Sequence, residues 1–267
     1  MIHKTAIIQK GAQIHSEAII GPYCTIGKNV ELAKGVKLHS HVCIDGFSYI
    51  GENTEIFPFA SIGYPPQDLK YNGEESRVII GKNNIIREYS TINTGTKHGN
   101  METVIGDNCL LMISSHIAHD CVVGDNVILA NNATLGGHVI LGNNVIIGGL
   151  AAVHQFVRIG KFAIVGGVSA VVENVAPFAS VAGDRAKIVG INIVGMKRHN
   201  YSKDTINSIK NIFKVIFGKD INKGFDERIK IIKNNYDNDE SREIVKFLEE
   251  DGKRGFCMPS HKWELND

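Results

Sequence analysis

An aliphatic residue recurs at every sixth position along most of the stretch from Ile2 to Val171, and few folds can accommodate such a pattern. The series runs through Ile8, Ile14, Ile20, Ile26, Leu32, Leu38, Ile44, Ile50, Ile56 and Ile62, then resumes in phase at Ile80, Ile86 and Ile92. It shifts by one residue and continues unbroken through Ile105, Leu111, Ile117, Val123, Leu129, Leu135, Leu141, Ile147, Val153, Ile159 and Val165. Four residues after the aliphatic, a small or β-branched residue recurs, as at Cys24, Val36, Ala60, Cys121, Ala133 and Ala151. A period of six matches neither the 3.6-residue turn of a helix nor the two-residue alternation of a strand. It describes a short strand plus a corner, with the aliphatic side chain inside and the small residue at the bend. Three such units close a triangular coil of about eighteen residues, and successive coils stack about 4.8 Å apart, as parallel strands do. The spacing therefore predicts a mainly β chain folded as a parallel β-helix of hexapeptide repeats.

Two segments break the rhythm. Gly63 to Ile79 reads as a loop that leaves the prism and rejoins it in phase, and Thr94 to Thr103 supplies the one-residue shift. Long loops on a regular scaffold are where binding groups collect. After Pro177 the repeat is expected to end, and helical periodicity follows. Ser202 can cap a helix with Ile206, Ile209, Ile212, Phe213 and Ile216 on one side, ending at Gly218. Two more helical segments are expected, from Phe225 to Lys233 and around Ile244 to Leu248. The predicted division is a β-helix domain over 1–190 and a C-terminal α-helical domain over 191–267.

Composition narrows the function classes. The 267 residues are 43% hydrophobic with a net charge of +1, which offers no global field for nucleic acid. The charge is unevenly spread, with twelve Lys/Arg against four Asp/Glu from Arg185 to Lys233, a stretch suited to an acidic partner. The five cysteines are scattered and form no C-x-x-C pair, which favours reduced thiols in a cytosol. The N-terminus enters patterned sequence at once, so no signal peptide is expected, and no apolar run is long enough to insert in a membrane.

The coil length converts sequence distance into contact, because residues eighteen apart on one face lie one rung apart. His119, Gly137, Gln155 and Glu173 form one expected column, and Asp120, His138, Phe156 and Asn174 the next. A histidine with a neighbouring Asp, and a glycine amide one rung away, are the parts of an acyl-transfer site. Histidine can take a proton from a hydroxyl, Asp can hold its tautomer, and the glycine N–H can stabilise an oxyanion. A single histidine is usually a surface or packing residue, and His3, His15, His39, His41, His98 and His261 are read so. His116, His119, His138 and His154 cluster within three coils and are read as functional.

These stretches carry a resemblance to a known family. His116-Ile-Ala-His-Asp-Cys121, Ala130-Asn-Asn-Ala-Thr-Leu135, Gly137-His138, Ala152-Val-His-Gln-Phe156, Gln67-Asp-Leu-Lys-Tyr71 and Gly190-Ile-Asn-Ile-Val-Gly-Met-Lys-Arg198 resemble signature stretches of the UDP-N-acetylglucosamine acyltransferases, in the same order along nearly the whole chain. The resemblance implies the left-handed form of the β-helix and a cytoplasmic homotrimer with active clefts between subunits. It implies transfer of an (R)-3-hydroxyacyl group from acyl carrier protein to the 3-hydroxyl of UDP-N-acetylglucosamine, the opening step of lipid A synthesis. No cofactor of its own is implied, since the 4′-phosphopantetheine arrives on the carrier protein. Carried across, His119 is the general base, Asp120 its orienting partner and Gly137 the oxyanion donor. Gln67, Asp68, Lys70, His116, His154 and Gln155 hold the sugar nucleotide and the reacting groups. His138 and Gly167 border the acyl chain, and Asn192 and Arg198 approach the nucleotide end. Val194 stands where the family commonly has Glu, Arg185 where His is frequent, and Asn93 where His or another polar residue occurs.

Two rival readings have their own requirements. A zinc-dependent carbonic anhydrase-like enzyme uses the same kind of coil and needs three imidazoles, such as His116, His119 and His138, to converge on one ion at about 2.0–2.1 Å. A non-catalytic scaffold would not require the His, Asp and Gly columns at all.

Overall fold

A computed structural model describes residues 1–218, 224–250 and 252–259. Each hexad forms a strand that is typically two residues long, and every third strand pairs in parallel with the one before it. The result is a three-sided prism. The first sheet has nine strands beginning at Ile7–Ile8, the second has eight beginning at Gln13–Ile14, and the third has ten beginning at Ile19–Ile20. Within uninterrupted coils the register step is eighteen, as in Ile7↔Thr25 and His116↔Thr134. Each interior aliphatic residue is buried, from Ile20 through Val171. A strand of two residues has no stability alone, so burial and the rung-to-rung ladder hold it in place.

The corners take a conformation that composition does not advertise. The third residue after the aliphatic lies in the left-handed backbone region, and it is usually not glycine: Asn126, Asn132, Asn144, Asp120, His138 and Phe156 all have φ near +60°. Asn and Asp tolerate this region, whereas the aromatic residues bear a cost of about 1–2 kcal/mol each. Stacking between rungs offsets part of that cost. Tyr23, His41, Phe59 and Tyr89 stack as a column along the third–first edge, 5.0–5.1 Å apart.

Both rhythm breaks fall on the same edge. The loop from Pro65 to Ser76 leaves the first-sheet strand Ser61–Tyr64 and returns to the second-sheet strand Arg77–Ile80. The loop from Thr94 to Met101 likewise joins Thr91–Asn93 to Glu102–Ile105. Both therefore replace first–second corners, the kind that carries His119, Asp120, His138 and His154.

The coil ends differently from expectation. Beyond Pro177 a further strand, Ala179–Ala182, pairs in parallel with Ile164–Val165, and Lys187–Ile191 then turns back antiparallel to it. The registers Ile159↔Val175 and Ile164↔Ser180 step by sixteen residues rather than eighteen, so a search for a strict period loses them. The same shortening removes Asn174 from its expected place above Phe156. Its Oδ1 instead accepts the Arg158 N–H at 2.8 Å.

Among the described residues four helices follow: α1 (Ile193–Arg198), α2 (Lys203–Phe217), α3 (Phe225–Asn235) and α4 (Asp239–Glu249). The short α1 was not foreseen. In α2 the Ser202 hydroxyl accepts the Thr205 N–H, as expected, and Ile206, Ile209, Ile212, Phe213 and Ile216 are buried. The helices are tied to the prism by Arg158, which donates to the Glu250 carboxylate and to the Phe247 carbonyl. All five cysteines are free thiols, and no helix among the described residues is long and apolar enough to cross a membrane.

Candidate active site

The site is built on the first–second edge, where two rungs and one loop converge. Asp120 sits at a left-handed corner with its side chain fully enclosed. Its Oδ2 lies 2.9 Å from His119 Nδ1 and accepts the Thr96 hydroxyl at 2.6 Å. The Thr96 and Asn100 amides donate to Oδ1 at 3.0 and 2.9 Å, so the loop at the second rhythm break wraps the carboxylate. Burial works against the charged form, but the hydrogen bonds from His119 and Thr96 outweigh it and hold this carboxyl below its usual range. A carboxylate only accepts, so His119 must donate from Nδ1, leaving Nε2 with a free lone pair.

Gly137 lies one rung above, as the column rule predicted, and its fit is unusually close. A Cβ there would stand 2.5 Å from the His119 ring, so only glycine admits the imidazole. The Gly137 N–H has no hydrogen-bond partner among the described residues. At the equivalent position on the second–third edge, the amide is taken by a side chain one rung on: Asp107 N–H by Asp125, and Asp125 N–H by Asn143. Above Gly137 stands Gln155, whose side chain does not accept it. A buried donor left open beside a basic nitrogen is the arrangement that stabilises a developing oxyanion.

Two further imidazoles flank this pair. His138 stacks on Phe156 at 4.3 Å and meets the His119 ring edge-on at 5.0 Å. Burial pushes its basicity down, with Asp120 opposing in part. His116 faces outward from the first sheet, its Nδ1 2.7 Å from the Thr91 hydroxyl, and burial lowers it likewise, helped by His119. Both rings are therefore neutral at neutral pH.

The zinc reading fails on these contacts. Among the described residues, the one group able to converge on an ion is His119, Asp120 and His138. His116 is not in it, and the Asp120 Oδ2 that would replace it is already filled by Thr96 and His119.

Comparison with known proteins gives the lineage. A model described as the second domain of UDP N-acetylglucosamine O-acyltransferase matches residues 174–257, and a hexapeptide model of bacterial transferases matches residues 102–137. The acyl-(acyl carrier protein)–UDP-N-acetylglucosamine O-acyltransferase of Thermodesulfovibrio yellowstonii is 48% identical over 96% of this chain and 98% of its own. That of Rickettsia canadensis is 52% identical over 96% of this chain and 97% of its own. The chain belongs to the UDP-N-acetylglucosamine O-acyltransferase family. A crystal structure of a UDP-N-acetylglucosamine acyltransferase matches it with a TM-score of 0.93 and 45% identity, covering 97% of this chain and 99% of the other. The Francisella novicida enzyme matches with a TM-score of 0.94 and 36% identity, covering 98% and 95%. The coil is left-handed, as the resemblance implied.

The remaining family positions do not all gather at His119. Gln67, Asp68 and Lys70 ride on the first long loop of the same edge, where the Asp68 carboxylate is close enough to act on His138. Asn93 pins the base of that loop by donating to the Tyr64 and Pro65 carbonyls. His154 and Gln155 sit one coil above His138. Gly167 lies instead on the third–first edge. Its backbone is not in the positive-φ region, and an added Cβ would meet the Gly149 backbone alone, at 3.2 Å from its carbonyl oxygen and 3.9 Å from its amide nitrogen. Asn192, expected at the nucleotide end, is buried and caps α1, its Oδ1 accepting the Gly195 N–H and its Nδ2 donating to Phe162 O. Arg198 is exposed at the end of α1, and no hydrogen bond or ion pair among the described residues joins either residue to His119.

Several contributors escaped the sequence reading. Thr96 and Asn100 come from a loop with no periodic signal beyond the phase shift it causes, and Thr103, which accepts the Asp120 N–H, comes from the strand Glu102–Ile105 that follows it. Lys253 and Arg254 come from beyond α4. Lys253 places its ammonium 3.8 Å from the Phe156 ring centre, and Arg254 reaches His154.

Proposed function

We propose that this protein transfers an (R)-3-hydroxyacyl group from acyl carrier protein to the 3-hydroxyl of UDP-N-acetylglucosamine, the first step of lipid A synthesis. The observation that carries the reading is the His119–Asp120 pair set against the unpartnered Gly137 N–H. In this mechanism His119 Nε2 removes the sugar hydroxyl proton as the oxygen attacks the thioester carbonyl. The oxyanion forms at the Gly137 N–H, and its collapse expels the carrier thiolate, which takes the proton from His119. Asp120 stabilises the imidazolium between the two steps. Gln67, Asp68, Lys70, His116, His154 and Gln155 hold the acceptor, with Arg198 toward the nucleotide and Asn192 supporting α1 from beneath by its cap. No resident cofactor enters this scheme. Incubating the purified protein with UDP-N-acetylglucosamine and a mixed pool of acyl carrier proteins should yield a singly O-acylated sugar nucleotide by mass spectrometry. Absence of that product with every donor refutes the reading.

The proposed assembly is the homotrimer that the family resemblance implies. His138 and Gly167 stand on different edges of one prism, so a pocket bordered by both is completed by a second copy. The chemistry and the free thiols suit a cytoplasmic setting. Gly167→Met then fills the pocket's far end. Each lost methylene removes about 0.8 kcal/mol of burial, so selectivity should swing toward shorter donors by at least about tenfold. Competition between long and short acyl carrier proteins measures this, and an equal loss on all lengths would remove Gly167 from the pocket.

The helical region is the proposed dock for the acidic carrier protein. Within the basic stretch from Arg185 to Lys233, Lys203 and Lys214 are exposed and Lys210 is half-buried on α2, while Lys219 lies outside the described residues. Reversing Lys203, Lys210 and Lys214 together should raise the Michaelis constant for the donor about tenfold at low salt, with the difference shrinking as salt is added. An unchanged constant at low salt would place the dock elsewhere.

A further inference from the structure

The segment after α4 returns to the prism and ends beside the active edge. Phe256 bridges to Asn174 and Pro259 to Ile188, and the Asn174 N–H and Nδ2 donate to the carbonyls of Gly255 and Arg254 at 2.7 and 2.9 Å. These backbone anchors deliver the Arg254 guanidinium to the rung above His138. Its Nη2 lies 2.7 Å from His154 Nδ1, and its Nε donates to the Gln155 carbonyl at 3.1 Å.

A guanidinium has donors and no acceptor. His154 Nδ1 must therefore offer its lone pair, and the neutral ring carries its proton on Nε2. Nδ1 also stands 3.2 Å from the Gln155 carbonyl, but two acceptors do not bond, and that oxygen already takes the Arg254 Nε–H. Without the guanidinium, Nδ1 would be free to carry the proton and donate to that same carbonyl, and Nε2 would become an acceptor. The oxygens of a nucleotide diphosphate only accept, so the two tautomers differ in whether His154 can bind them at all.

We infer that Arg254 is a positioning residue that fixes His154 as an Nε2–H donor toward the sugar nucleotide. The inference rests on the reading of His154 as a substrate contact. Nitrogen-15 NMR of the imidazoles in the intact, ligand-free protein tests the tautomer directly, with the His154 signals assigned by their loss in His154→Gln. The wild type should show an unprotonated Nδ1 and a protonated Nε2, and Arg254→Met should shift the ring toward the opposite tautomer. In the same variant the Michaelis constant for UDP-N-acetylglucosamine should rise about tenfold, as for one lost hydrogen bond to a charged group, with turnover changed less than about threefold. Added guanidinium ion should recover part of the affinity, which a purely structural role would not allow. The variant is expected to fold, because the strap is held by backbone bonds that do not use the Arg254 side chain.

A protonated Nδ1 in the wild type overturns the inference, and so does an unchanged Michaelis constant in Arg254→Met. Neither result touches the assignment of His119. Conversely, if no acylated sugar nucleotide forms with any donor, the proposed function falls while the NMR result still decides the tautomer.

Discussion

His119→Ala should lower turnover by about 10²-fold to 10⁴-fold while the protein stays folded, because the variant loses the nitrogen proposed to take the sugar proton. The expectation of a folded variant has a structural basis. The packing of this coil comes from Ile117 and Cys121, both fully buried, whereas the His119 side chain keeps 13% of its surface and projects from the corner. Steady-state kinetics at saturating donor and acceptor, with circular dichroism and sizing on the same sample, separates loss of chemistry from loss of fold. A folded variant with near-normal turnover would falsify the assignment of His119 as the base. A matched rise in the Michaelis constants with turnover intact would make it a binding residue instead.

Asp120→Asn should damage both chemistry and stability. The amide nitrogen brings donors into a site that already presents donors from Thr96, Asn100 and His119, so at least one buried group is left without an acceptor. Breaking a buried charged partner of this kind costs about 3–5 kcal/mol, or on the order of 10 °C in melting temperature for a chain this long. Turnover should fall by about 10²-fold or more, because nothing then holds the His119 proton on Nδ1. The acid side of the stability profile adds an independent signature. The carboxyl of Asp120 is held below its unfolded value, which is near 3.9. The stability it contributes is therefore complete above about pH 4 and is lost as pH falls through the depressed folded value. In Asp120→Asn that part of the acid slope should vanish. Urea unfolding of both proteins between pH 3 and pH 7 measures it, and parallel curves would mean that Asp120 is not the tightly held carboxylate described here.

The two effects share one structural cause, which is the loop from Thr94 to Met101. It contributes no interior aliphatic residue, yet it supplies most of the hydrogen bonds that keep Asp120 ionised in a dry corner. Loss of the Thr96 hydroxyl alone would remove its shortest bond, at 2.6 Å.

Much of the site was legible because a coil of constant length makes position a matter of counting. The aliphatic series determined the interior, the three faces and the rung spacing, and from these the juxtaposition of His119 with Gly137 and of Asp120 with His138. Each rung contacts only its neighbours, so the same local rule repeats and errors do not accumulate. Where the step shortened to sixteen residues near Asn174, the counting failed. What only the tertiary structure decided is everything that reaches the edge without following the period. The Thr96 loop closes on Asp120, Arg254 returns from beyond α4 to His154, and Asn192 turns inward to cap α1. Those placements depend on hydrogen bonds that are not repeated from rung to rung, one of them between residues a hundred positions apart, Arg254 and His154. A periodic pattern reports burial repeated rung after rung. It contains no trace of a polar contact that is made once, because the energy of that contact depends on where the intervening chain happens to bring its partner.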